Sequence, residues 1–320
     1  MTRSRRLIHS VFLLLLPIIV AGFGLTVGAA AGLVLLGLLW RWAVVLSGVI
    51  APEKGPAVIL ETISASHFVE KVRWSMDRLG IDYTERQSAG TIGAFFTGRS
   101  VPQLKVRTGI VESVVGNSPE ILRYLWGAYS PTLPEAAEFL EPTVERLNLE
   151  KRIDRYGRDL QVWIYYHLLQ DRKLTLQAWG ANSKLVPWWQ RQVVVAIFPV
   201  LAFLIRRSFS ITDDHYARAA RNIEALLSDI DTRLADGRGS ILGGDTSNYT
   251  DIAFAAISGL WLQPEGYGGG RADAARIDRD RVPGPMREEV QRWIEDHAQS
   301  VAFIERLYAT ERPPSVDSQH

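Results

Sequence analysis

The sequence predicts an α/β domain followed by an all-α domain, set behind an N-terminal membrane segment. Three observations carry this: a long apolar run near the start, a β-α-β, hairpin, α pattern within roughly 70 residues, and a remainder whose periodicity is helical. With 320 residues there is room for one large or two medium domains. The absence of cysteine excludes disulfides, thiolate metal sites and a cysteine nucleophile.

The membrane segment is read first. Val11 to Trp40 is apolar or glycine throughout except for Pro17 and Thr26, and from Val11 to Ile50 the only charge is Arg41. About 20 apolar residues cross a bilayer, so the run is long enough. A secretory peptide is the competitor, but its apolar part normally ends after ~7–15 residues. Two arrangements remain open, a single tilted span ending at Trp40-Arg41-Trp42, or a hairpin broken among Gly22, Gly24, Gly28 and Gly32. Residues 1–56 carry Arg3, Arg5, Arg6, Arg41 and Lys54 against Glu53; of the overall +1 this part holds +4, which leaves −3 for the body. A slightly acidic body argues against nucleic acid as a partner. The expectation is a membrane protein touching lipid through residues 11–50, with its body in the cytoplasm, residues 1–56 being anchor and linker.

Ala57–Thr62 is a short apolar run suited to a buried strand. Phe68, Val72, Met76 and Leu79 then share one helical face, Lys71, Arg73, Asp77 and Arg78 lie off it, and Gly80 stops the helix. Asp82–Arg86 reads as a second strand, and residues 88–100 as an irregular, glycine-containing stretch. Pro102–Val106 and Ile110–Val114 form a hairpin turning at Gly109. Ser118-Pro119-Glu120 starts a helix, with proline and a carboxylate in the first turn. Beyond Pro134 the sequence predicts helices near 136–170, 190–208, 213–235, 248–262 and 284–310. Val193–Ile205 is an apolar run too short to span, either a buried helix or an interfacial element beside Trp188 and Trp189.

For chemistry, the best candidate is Ser66, which ends the loop before the first helix of the body. That helix start offers free N–H groups to an anion, and the hydroxyl offers one more donor. An ordinary N-cap is the plainer reading of the same serine. Pro102 is either an edge-strand residue or a cis-proline that exposes the Val101 backbone to a peptide-like ligand. Asn117-Ser118 caps a second helix where a carboxylate could sit. The six histidines show no metal spacing, and no nucleophile elbow or phosphate loop is present.

In order along the chain, these segments resemble the soluble glutathione transferases. Ser66-His-Phe-Val-Glu-Lys-Val-Arg-Trp74 is similar to the family's S-P-F-x-x-K/R-V-R-W, Arg99-Ser-Val-Pro-Gln-Leu104 to its K-V-P-x-L run, and Asn117-Ser-Pro-Glu-Ile-Leu-Arg-Tyr-Leu125 to its E/D-S-x-x-I-x-x-Y-L helix. Ile241-Leu-Gly-Gly-Asp-Thr-Ser-Asn-Tyr-Thr-Asp-Ile-Ala253 is similar to F-L-x-G-D-x-x-T-x-A-D-I-A, with Asn248 and Asp251 as a capping box. The resemblance implies a thioredoxin-like domain over 57–130, an all-α substrate domain over 135–312, and a polar tail over 313–320. It implies glutathione as co-substrate, no metal, a small electrophile as second substrate and a second copy of the chain as partner.

By the same resemblance Ser66 is the catalytic residue that stabilises the thiolate, while Phe68, Arg99, Val101, Pro102, Asn117 and Ser118 bind glutathione. Trp163, Tyr165 and Tyr166 are candidates for the electrophile pocket, with ordinary core packing the plainer reading. Three departures from the family pattern bear on activity: His67 replaces proline, Asn117 replaces an acid, and the loop before Val101 is glycine-rich with Phe95-Phe96, so that a ligand contact there rests on Arg99 alone. The alternative function is a non-catalytic binding or interaction module with the same fold.

Overall fold

The computed structural model describes residues 27–50, 56–90, 101–108 and 111–313. Expectations for residues 11–26, the linker to Gly55, the loop carrying Phe95, Phe96 and Arg99, the turn at Gly109 and the tail after Pro313 lie outside them. By its internal contacts the chain divides into two compact units, one of residues up to 59 with 104–115, the other of 60–103 with 116–320.

The first helix, α1, runs Val27–Ile50. The membrane location expected from this end is not upheld: among the described residues no single helix is long and apolar enough to cross a membrane.

The body begins with β1 (Ala57–Thr62), α2 (His67–Arg78), β2 (Thr84–Gln87), β3 (Gln103–Thr108), β4 (Val111–Gly116) and α3 (Ser118–Tyr129). The four strands form one sheet in the order β2-β1-β3-β4, which is a thioredoxin-like arrangement. Each element starts within two residues of its expected place. Gly80, at φ +64°, takes the left-handed turn that ends α2.

Helices make up the rest: a short turn at Pro134–Ala137, then α4 (Val144–Leu168), α5 (Arg172–Ala178), α6 (Trp188–Ala196), α7 (Phe198–Ser208), α8 (Asp213–Leu234), α9 (Tyr249–Leu262), α10 (Gly284–Asp296) and α11 (Ala298–Thr310). Three of the expected helices are divided, each at a local cause. Pro142 interrupts the span from 136, and the Thr143 hydroxyl restarts it by accepting from Arg146 N at 3.3 Å. Pro199 lacks the N–H that would continue α6, so α6 and α7 meet at a 75° bend. His297, at φ −125° and ψ 50°, separates α10 from α11. The apolar run around Val193 is two-faced: Val194, Phe198, Leu201 and Ile205 are buried with Trp179 and Val186, whereas Trp188, Val200 and Phe203 are exposed.

Helix α2 is buried on more than its apolar face. Glu70, Lys71 and Arg73 are fully buried and Asp77 nearly so. Lys71 Nζ lies 2.9 Å from Glu150 and 3.0 Å from Asp154 of α4. Arg73 pairs with Glu70 at 3.1 Å and Glu85 at 2.6 Å, and Arg312 reaches Glu70 at 2.8 Å and Asp77 at 2.9 Å. Buried charges persist only when paired in this way. Helix α9 is enclosed along its whole length. At its start Asn248 Oδ1 accepts from Thr250 N at 2.9 Å, and Asp251 accepts from Asn248 N and Ile241 N, both at 2.8 Å. The capping box is therefore present, extended by the Ser240 hydroxyl at 2.7 Å from Asp251.

Candidate functional site

Within the larger unit, two helix starts and one cis peptide bond carry the chemistry-bearing residues. Ser66 is the N-cap of α2 by backbone: its carbonyl accepts from Glu70 N at 3.0 Å, and its own N–H donates to Ile63 O at 3.1 Å. Its side chain makes no capping hydrogen bond. The plain N-cap reading therefore fails for the hydroxyl, which is half-buried and free of partners among the described residues. Ser64, the nearest other serine, is buried and donates to Gln87 Oε1.

His67 explains how α2 starts without the family's proline. It is buried, and its Nε2 lies 3.0 Å from the Gly157 carbonyl of α4. A carbonyl only accepts, so Nε2 carries the proton and donates. Burial pushes the imidazole pKa down to about 4, against a smaller upward pull from that hydrogen bond, so His67 is neutral near pH 7. Phe68 lies beside it, ring centroids 4.3 Å apart. A Cβ at Gly157 would stand 2.8 Å from Phe68 Cζ, so glycine lets α2 approach α4. Phe68 is half-buried.

The Val101-Pro102 bond is cis, the alternative that leaves backbone available to a ligand. The Pro102 carbonyl accepts from Asn117 N at 3.2 Å, which ties the cis bond to the start of α3. Asn117 is exposed, holds φ +73° and makes no side-chain cap. Asparagine is among the few non-glycine residues that tolerate positive φ. Ser118, the next residue, is 1% exposed, and its Oγ has no hydrogen-bond partner among the described residues. A buried hydroxyl left unpaired costs ~1–3 kcal/mol. Two free hydroxyls at two helix starts can each donate to an anion in concert with backbone N–H groups.

Trp163, Tyr165 and Tyr166 take part in helix packing, the plainer of their two readings. Trp163 is buried, donates to Glu289 at 2.6 Å and packs on Trp293 with centroids 4.9 Å apart. Tyr166 stacks on Tyr216 at 4.0 Å and Tyr165 packs on Phe209 at 5.5 Å. All three serve helix packing. A cavity of about 180 Å³ lies elsewhere, lined by Ala65 from the Ser66 loop, by Ile164 of α4 and by α9 and α10. Sequence periodicity could not show it, because its wall comes from segments 200 residues apart. Among the described residues no cluster of histidine and carboxylate side chains could hold a metal ion.

Sheet order, cis-proline and the two open helix starts define a thioredoxin-like domain followed by helices. No family model and no curated protein matches the sequence. Among solved structures, the chain is similar to a glutathione S-transferase from Methylobacterium radiotolerans in complex with glutathione sulfonate (17% identity, 82% of this chain and 98% of that chain, TM-score 0.48). It is also similar to a glutathione transferase from Phanerochaete chrysosporium (15% identity, 79% and 96%, TM-score 0.48). A third is a glutathione S-transferase of Ceriporiopsis subvermispora in complex with glutathione (16% identity, 82% and 100%, TM-score 0.47).

Proposed function

We propose that the chain binds glutathione and transfers it to a small electrophile, with residues 57–130 holding glutathione and 135–312 the second substrate. The observation that carries this reading is the pair of unused hydroxyls, Ser66 half-exposed at the start of α2 and Ser118 buried with an orphaned Oγ at the start of α3. The Ser118 hydroxyl and the backbone N–H of Glu120, the first after Pro119, receive the γ-glutamyl carboxylate. The Val101 backbone pairs with the cysteinyl residue as an added strand would. Arg99 meets a ligand carboxylate, and Asn117 hydrogen-bonds the ammonium without a charge.

Ser66 donates a hydrogen bond to the glutathione sulfur. A donor to the charged form lowers the thiol pKa, as does the positive end of α2, so more thiolate is present near pH 7. The thiolate then attacks the electrophilic carbon and displaces or adds to it; Ser66 keeps its proton and forms no covalent bond.

The test is retention of the purified chain on immobilised glutathione, elution by free glutathione, and conjugation of an aryl halide. Ser66→Ala should still be retained while its conjugation rate needs higher pH. Retention without conjugation by the native chain would identify a non-catalytic glutathione-binding module, and failure of retention would overturn the reading.

A further inference from the structure

The cavity beside the Ser66 loop has a size and a chemistry of its own. Ile164, Leu260, Trp261, Met286 and Val290 give it apolar walls. At about 180 Å³ it is slightly larger than the ~150 Å³ apolar cavity that accommodates one benzene in another protein, so it takes a single substituted ring.

Polar side chains, Gln263 and Arg287 among them, interrupt those walls. Gln263 follows α9 at φ +51°, and its Nε2 donates to the carbonyls of Leu260 at 2.8 Å and Gly259 at 3.3 Å. Those two acceptors fix the orientation of the amide, because a flipped Oε1 would face carbonyl oxygens. Gln263 Oε1 is buried and has no hydrogen-bond partner among the described residues. An unmet buried acceptor calls for a ligand O–H or N–H. Arg287 also lines the cavity, is exposed, and makes no ion pair among the described residues. Arg279 on the same wall donates to the Leu262 carbonyl, and Asp280 is the one carboxylate among the lining residues. The cationic groups therefore outnumber the anionic one.

We propose that this cavity binds a single-ring carboxylic acid bearing a hydroxyl group. The ring lies between Ile164, Trp261 and Val290, the hydroxyl donates to Gln263 Oε1, and the carboxylate pairs with Arg287. Ala65 forms part of the wall, so the occupant abuts the loop that presents Ser66. The site needs no glutathione to be filled.

Calorimetric titration of the full chain with 3- and 4-hydroxybenzoate, benzoate and phenol tests this. One hydroxybenzoate isomer should bind at a single site, about tenfold or more tighter than benzoate or phenol. Arg287→Gln, a surface change, should bring hydroxybenzoate down to the affinity of phenol and leave phenol unaffected. Val290→Trp should abolish binding by filling the cavity, with a melting curve to verify its fold. Absence of hydroxybenzoate binding, or affinity unchanged in Arg287→Gln, would overturn the proposal. Arg287-dependent binding by a chain that is not retained on glutathione would reject the glutathione reading and leave this one intact.

Discussion

His67 Nε2 donates to the carbonyl of Gly157 across 3.0 Å, joining the first turn of α2 to the middle of α4. One histidine thus takes over the anchoring of the loop that ends in Ser66, and it does so as a neutral ring, because burial holds its pKa near 4.

Stability should consequently fall as the solution is acidified from about pH 6.5 to about pH 4. In that window the unfolded chain, whose histidine titrates near its ordinary 6.5, binds a proton that the folded chain refuses. The sign is that of a depressed pKa: the contribution is complete above 6.5 and lost below, for a total on the order of 3 kcal/mol. Denaturant melts of the native chain and of His67→Gln, which donates without titrating, should diverge in slope within this window and run parallel above it.

Gly157→Ala should destabilise the protein by up to about 2 kcal/mol. Alanine gains ~1 kcal/mol of helix propensity over glycine, but its Cβ would sit 2.8 Å from Phe68 Cζ, and overpacking of this kind costs ~1–3 kcal/mol. Thermal melts of Gly157→Ala with and without Phe68→Leu check it: shortening the ring should restore the loss. A rise in melting temperature for Gly157→Ala alone would show that Phe68 moves aside freely.

Ser118→Ala should separate binding from stability. The Oγ is buried without a partner, so its removal should leave the melting temperature unchanged or slightly higher. Retention on immobilised glutathione should weaken by roughly ten- to a hundredfold in the elution concentration, the effect of losing one hydrogen bond to a charged group. A marked drop in melting temperature would instead make Ser118 a structural residue.

Arg312→Ala should cost about 3–5 kcal/mol, since it removes a cation shared by two buried carboxylates. Glu70 retains Arg73 at 3.1 Å and Asp77 retains the Tyr83 hydroxyl at 2.9 Å, while the 2.9 Å contact of Arg312 with Asp77 is lost. Adding Asp77→Asn should recover part of the loss in chemical denaturation, because a neutral amide is cheaper to bury than an unpaired carboxylate.

Local order was legible in the sequence wherever a short-range signal sufficed. The apolar run of β1, the Gly80 stop, the Ser118-Pro119 start and the Asn248–Asp251 box act within a few residues, and each is found in place. The same economy made Ser66, Pro102 and Ser118 visible as candidates. Tertiary structure alone decided what surrounds them. It buried Lys71, Arg73 and Asp77, which helical periodicity leaves on the polar side of α2, because their partners Glu150, Glu85 and Arg312 arrive from other elements. It released the Ser66 hydroxyl from capping, tied His67 to Gly157 90 residues away, and drew Ala65, Trp261 and Val290 around one cavity. Such facts depend on side chains that meet only after the chain has folded back on itself, and no spacing along a sequence encodes the distance between two elements that far apart.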